Sequence, residues 1–229
     1  MPTPTLEGVM RSRRSVLAAA GTGAVALSAG CVDFALGNAP LEFTASRVAP
    51  TDQALGETGY VEDEVDQNVL EEEVDVGVTR EIRAAFWVST YTKAVDVQTI
   101  DEDGALFGAV SMPKIELLGA SFNPLMEMDS EELLEEIGGE LEGGYGDLSD
   151  VEHLETISSE TAVLGERRAV DVFEAGGDFG GEELDVELLV VTVEHEDDYL
   201  IFLGGYPQLF PDERDNVRDL LGSVEHPLE

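Results

Sequence analysis

Positive charge is what this chain lacks most. Its 229 residues hold 12 Lys and Arg, with Lys93 and Lys114 the only lysines, against 50 Asp and Glu. Phosphate binding needs clustered basic side chains, so a nucleic-acid partner is disfavoured. The only basic pair outside the N-terminal segment, Arg167-Arg168, follows an acid, Glu166. Cysteine is nearly absent too: Cys31 stands alone, which excludes a disulfide within the chain. No Asn-x-Ser/Thr acceptor occurs, and no long apolar run follows the first thirty residues. There is no Gly-x-Ser-x-Gly nucleophile turn. The three histidines (His153, His195, His226) are not at metal-ligand spacing from one another, and no catalytic residue, metal site or cofactor is assigned.

What is present begins with an apolar share of 43%, enough for a core and too high for a chain kept disordered by its charge. The formal net charge is -38. A surface of that sign repels itself at ordinary ionic strength. At about 1 M salt the Debye length falls to roughly 3 Å and the repulsion is screened. The composition therefore reads as that of a halophile.

The N-terminus reads as an export signal. Ser12-Arg13-Arg14-Ser15-Val16-Leu17 resembles the twin-arginine motif, with Arg13 and Arg14 as the pair. An Ala/Gly/Val run follows, shorter than the ~20 residues of a membrane span. Ser28-Ala29-Gly30-Cys31 resembles a lipobox, departing from it at Ser28, where a large aliphatic residue is usual. The expected organisation is a signal peptide over 1–30, a lipidated tether over 31–40 attached through Cys31, and a globular domain over 41–229. The expected location is the extracytoplasmic face of the cell membrane.

In the remainder, Leu41–Ala45 alternates as a strand, and Pro50–Leu55 opens a short helix ending at Gly56 or Gly59. Val69–Val76 and Thr79–Tyr91 form a hairpin, and Asp101–Gly104 is a turn before a strand over Ala105–Met112. Asp129-Ser130-Glu131-Glu132 has the form of a capping box, with Leu133, Leu134, Ile137 and Leu141 at helical spacing behind it. Strands are expected over Val151–Ile157, Thr161–Leu164, Ala169–Phe173, Leu184–Val193 and Tyr199–Gly204. The glycine-rich Glu174–Gly181 reads as a hairpin loop, and Leu188–Val191 alternates so poorly that both strand faces should be covered. Pro211, Asp212 and Glu213 start a last helix that Gly222 ends, with Val217, Leu220 and Leu221 as its apolar face. The fold class is α+β: one domain, a mostly antiparallel sheet of five to seven strands, and two or three flanking helices.

Several short motifs resemble a haloarchaeal lipoprotein family of unknown function. They are Leu41-x-Phe43, Ala54-Leu55 before Thr58-Gly59-Tyr60, Trp87-Val88-Ser89-Thr90-Tyr91, Phe122-Asn123-Pro124 before Met128, and Tyr206-Pro207. The resemblance implies no activity. A weaker likeness, to the PsbP-like α/β/α sandwich, covers only the element pattern after about residue 105.

Candidate chemistry is thin. Asp101-Glu102-Asp103-Gly104 opens like a calcium loop but lacks the later ligands. Glu71–Glu73, Glu131–Glu136 and His195–Asp198 are read as solvated acidic surface. On a strand Trp87 and Tyr91 share one face and are the candidate aromatic binding patch, with core packing as the alternative. The expected function is a non-catalytic binding or accessory lipoprotein, its partners the membrane and an unidentified surface protein or ligand. A surface hydrolase using carboxylates assembled by the fold is the alternative. The composition predicts unfolding on dialysis from molar to millimolar salt; a melting temperature that stays flat across that range contradicts it.

Overall fold

The computed structural model describes residues 40–75, 79–95, 103–117, 120–121, 125, 128–138, 148–179 and 182–228. In chain order the elements are β1 (Leu41–Thr44), β2 (Arg47–Ala49), α1 (Asp52–Thr58), β3 (Val61–Asp75), β4 (Thr79–Ala94) and β5 (Asp103–Pro113). Next come β6 (Glu116–Leu117), β7 (Ala120–Ser121), α2 (Ser130–Gly138), β8 (Ser149–Val163) and β9 (Glu166–Phe179). The chain closes with β10 (Glu182–His195), β11 (Asp198–Pro207), α3 (Glu213–Ser223) and β12 (Glu225–Leu228). The class is α+β, as the sequence indicates. Contacts divide the chain into two units, Met1–Leu41 with Glu72–Arg83, and Glu42–Glu71 with Ala84–Glu229. Besides Pro40 and Leu41, the described part of the first unit is the far end of the β3–β4 hairpin, where Val74 and Ile82 are buried and Arg83 Nε donates to Glu81 Oε1 at 3.1 Å.

The second unit is built on the sheet order β1-β4-β5-β11-β10-β9-β8, with β3 adding an eighth strand outside β4. Register divides the side chains between two faces. The first carries Phe107, Ala109, Leu200, Phe202, Leu189 and Val191, and these pack with Val48 and Ala49 of β2, Ala54 of α1, and Val217, Leu220 and Leu221 of α3. The second carries Leu106, Val110, Phe173, Leu188, Val190 and Ile201, covered by Leu133 and Leu134 of α2. With both faces covered, β11 is buried along all ten residues, and β10 is the two-sided strand that its poor alternation implied.

Local chemistry sets the helix ends. Thr51 Oγ1 accepts from Ala54 N at 3.3 Å, and Gly59 closes α1 at φ +81°, a left-handed value glycine adopts without strain. The capping box at α2 is complete: Asp129 Oδ1 accepts from Glu131 N and Glu132 N at 3.0 Å, while Glu132 Oε2 accepts from Asp129 N at 3.1 Å. Helix α3 lies hard against β11 at Gly204, where an added Cβ would sit 2.3 Å from Val217 Cγ1. Gly222 does not end that helix, which continues through Ser223 to an extended Val224.

Three further expectations differ in detail. The stretch Glu174–Gly181 is not a loop up to Phe179: β9 runs through it, pairing Gly176 with both Asp185 and Ser149. Glycine there permits close approach rather than a turn, since a Cβ would fall 2.6 Å from Ser149 Oγ. Val151–Ile157 and Thr161–Leu164 belong largely to one strand, β8, whose register shifts between Ile157 and Thr161. The strand expected from Val69 begins at Val61, and that strand, β3, pairs with β4. Leu141 and Asp101–Glu102 lie outside the described residues.

Candidate functional site

Arg13, Arg14 and Cys31 lie outside the described residues. Trp87 and Tyr91 do share a face, opposite Ser111 and Phe107, but they do not make a solvent-facing patch. Tyr91 is fully buried, its ring centroid 6.1 Å from that of Phe107 and its hydroxyl accepting from Arg47 Nη2 at 3.2 Å. Burial pushes its pKa up, against the opposing pull of Arg47. Trp87 is half-buried and donates from Nε1 to Ala45 O at 3.1 Å. Packing, the alternative reading, accounts for both. Among the described residues no group of three or more His, Cys, Asp and Glu is arranged to hold a metal ion.

The polar chemistry gathers instead where α3 and β12 meet the first face of the sheet. At the start of α3, buried Glu213 receives Lys93 Nζ at 2.5 Å, Asn216 Nδ2 at 2.9 Å and the Tyr60 hydroxyl at 3.3 Å. The Lys93 ammonium also lies 5.7 Å from the Tyr60 ring centroid, a cation–π distance. One residue on, Arg214 reaches the opposite way. Its Nε and Nη2 grip the two oxygens of Glu187 on β10 at 2.7 and 2.5 Å, and Nη1 lies 3.4 Å from Glu155 on β8. The Tyr206 hydroxyl donates to the same Glu187 carboxylate.

Of these side chains, Glu187, Tyr206 and Arg214 line a cleft beside α3, about 250 Å³ in volume, which Leu154, Glu174, Gln208 and Pro211 complete. Burial alone would raise the Glu187 pKa, but the Arg214 fork and the Tyr206 hydroxyl outweigh it and hold the carboxyl below its ordinary value. Burial and the bond to Glu187 together push Tyr206 up, so it stays a neutral donor. Glu174 is engaged as well, by Gln208 Nε2. The cleft therefore offers an ionised Glu187 carboxylate held by Arg214 and Tyr206, and a Glu174 carboxylate bonded to Gln208.

A third cluster closes the end of the β10–β11 hairpin. His195 and Asp198 face each other across the two-residue turn Glu196–Asp197. Buried Asp198 accepts from Ser46 N at 2.8 Å, and its Oδ2 lies 3.0 Å from His226 Nε2. The His226 side chain is only 1% exposed. Its other nitrogen, Nδ1, stands 2.9 Å from His195 Nδ1. With Asp198 accepting from His226 Nε2–H, the neutral His226 ring presents Nδ1 as an acceptor, and His195 Nδ1–H is then the donor to it. The chain Asp198–His226–His195 ties β12 to the hairpin. His195, expected as a solvated turn residue, is thus half-buried and bonded; its partner is 31 residues away, and only the return of β12 beside β2 brings them together.

The chain belongs to the family described as a domain of unknown function, DUF6517, which matches residues 47–225. No curated protein sequence matches it. Among solved structures it is similar to LpqN, involved in cell envelope biogenesis of Mycobacterium tuberculosis, at 9% identity over 72% of this chain and 88% of that one, with a TM-score of 0.32. A likeness that distant says nothing of function. No described helix is long and apolar enough to cross a membrane.

Glu187 supplies a pH test. Its folded pKa is depressed, so its contribution is complete above the unfolded value near 4.5 and is lost as pH falls through the folded value. Glu187→Gln should weaken the fold at pH 7 by about 1–3 kcal/mol. In denaturant titrations at molar KCl its stability should also fall less steeply than wild type below pH 4.5. Parallel curves for the two proteins contradict this.

Proposed function

We propose that this DUF6517 member is a lipid-anchored extracytoplasmic module of a halophile, tethered through Cys31, that binds or assists another component of the cell surface without performing chemistry itself. The observation that carries the reading is the occupancy of Glu187. A hydrolase working through paired carboxylates needs one held protonated and a second free to act. Here the carboxylate at the floor of the cleft is ionised and shared between Arg214 and Tyr206, and its neighbour Glu174 is bonded to Gln208. Beside the cleft, Leu154 and Leu209 are 48% and 63% exposed, apolar side chains placed where a protein partner can bury them.

The tether is read from the sequence. Nine residues separate Cys31 from Leu41, a stretch that reaches at most about 35 Å even fully extended, so the domain would work close to the bilayer. The test is crosslinking on intact membranes at molar salt, followed by capture and identification, with wild type beside Cys31→Ser and the double variant Leu154→Asp/Leu209→Asp. Cys31→Ser should leave the membrane fraction. The leucine variant should stay on membranes and lose a stoichiometric partner. A Cys31→Ser protein that still fractionates with membranes overturns the anchor, and a wild-type capture with no partner overturns the accessory role.

A further inference from the structure

His195 and His226 face each other through their Nδ1 atoms, and that geometry reaches beyond the binding role above. We propose that the pair is a two-histidine site for a borderline divalent transition metal, with Cu²⁺ bound most tightly. The Nδ1–Nδ1 separation is 2.9 Å. Two imidazole nitrogens bound to one ion at ~2.0–2.1 Å with a tetrahedral angle stand about 3.3 Å apart, so the rings need to part by about 0.4 Å and to tilt until the two lone pairs, now directed along the hydrogen bond, converge on the ion. Imidazole is the donor that copper, nickel and zinc accept from proteins, and copper heads the affinity order.

The surroundings match what such ligands need. A metal-binding histidine characteristically gives its second ring nitrogen to a carboxylate, which fixes the tautomer and raises the basicity of the donor. His226 does this: Nε2 is held by Asp198, and Asp198 is itself oriented by Ser46 N. His226 and Asp198 side chains are 1% and 6% exposed, so this half of the site is rigid. His195 is the half-exposed side, through which an ion enters and where water completes the coordination. The exposed acids Glu194, Glu196, Asp197 and Glu225 surround it and concentrate cations. Lys114, a base close by, is engaged by Glu194 at 3.3 Å and by Glu196 O at 2.9 Å.

The proton balance is simple. In the metal-free pair one proton lies between the two Nδ1 atoms, carried by His195. On binding, that proton leaves His195 Nδ1 and one is taken up at His195 Nε2, a change of tautomer with no net release. The two Nδ1 lone pairs, which would repel each other if both were bare, then share the cation.

The test uses Cu²⁺ at one equivalent with the full chain in molar KCl and excess Mg²⁺, so that surface carboxylates are occupied by a hard ion. Electron paramagnetic resonance reads the number of coordinating nitrogens. Wild type should show two imidazole nitrogens, and His195→Asn one, with affinity at least tenfold weaker. His153→Asn should match wild type. Asp198→Asn should keep two nitrogens while binding about 10–100-fold more weakly. His195 is half-exposed, so its variant is expected to fold, which circular dichroism checks; His195→Gln gives the same reading if it does not. An oxygen-only spectrum in wild type, or a spectrum unchanged in His195→Asn, overturns the proposal. Neither outcome bears on the membrane partner, which is read separately by capture.

Discussion

The scarcity of positive charge is the constraint on which the rest of the larger unit depends. A carboxylate taken into the interior without a partner costs several kcal/mol, and this chain has 12 bases to serve 50 acids. Among the described residues three buried carboxylates nonetheless lie on or beside the first face, and each has drawn a nitrogen from another element: Glu213 has Lys93, Glu187 has Arg214, Asp198 has His226. The adjacent Glu213 and Arg214 carry opposite charges and reach to different strands, β4 and β10. The first turn of α3 is therefore fixed in orientation as well as position. Glu213 also lies at the positive end of the α3 dipole, which favours it further. Hydrophobic contact between Val217, Leu220, Leu221 and the sheet supplies most of the energy; the ionic contacts select one placement.

The same scarcity leaves the outside strongly acidic. Along β3, Glu62, Asp63, Glu64 and Asp66 are exposed on an edge strand, and repulsion from Asp66 pushes the Glu64 carboxyl up from its ordinary value. Like charges at alternate positions discourage another strand from adding to that edge. Exposed pairs such as Arg168–Glu166 contribute little in molar salt, whereas pairs inside the fold are screened far less. Salt at a concentration that screens the surface would thus leave the interior contacts in force.

Local signals were legible and long-range ones were not. The capping box at Asp129, the apolar face of α3 and the two-sided β10 each rest on residues a few positions apart, whereas the end of α1 stayed open between Gly56 and Gly59 until the αL conformation of Gly59 settled it. Glu174–Gly181 misled because glycine in a turn and glycine between two close strands look alike in one dimension; only the pairing of Gly176 with β8 and β10 separates them. Trp87 and Tyr91 lay on a common face as alternation requires, but that this face is packed rather than open is set by β2, α1 and α3, which lie far from β4 in the sequence. The ionic contacts span 27 residues from Glu187 to Arg214 and 120 from Lys93 to Glu213. With acids so common, no sequence pattern singles out the few that are buried.

The most direct measurement is a double-mutant cycle on Lys93 and Glu213, using Lys93→Met and Glu213→Gln, with stability measured by denaturant in molar KCl. A structure-selecting interior pair should show a coupling energy of about 1–3 kcal/mol that persists as salt is raised. The exposed Arg168–Glu166 pair, measured beside it, should show almost none. A Lys93–Glu213 coupling that vanishes at molar salt would mean that apolar packing alone places α3, and that the scarce bases do not organise this fold.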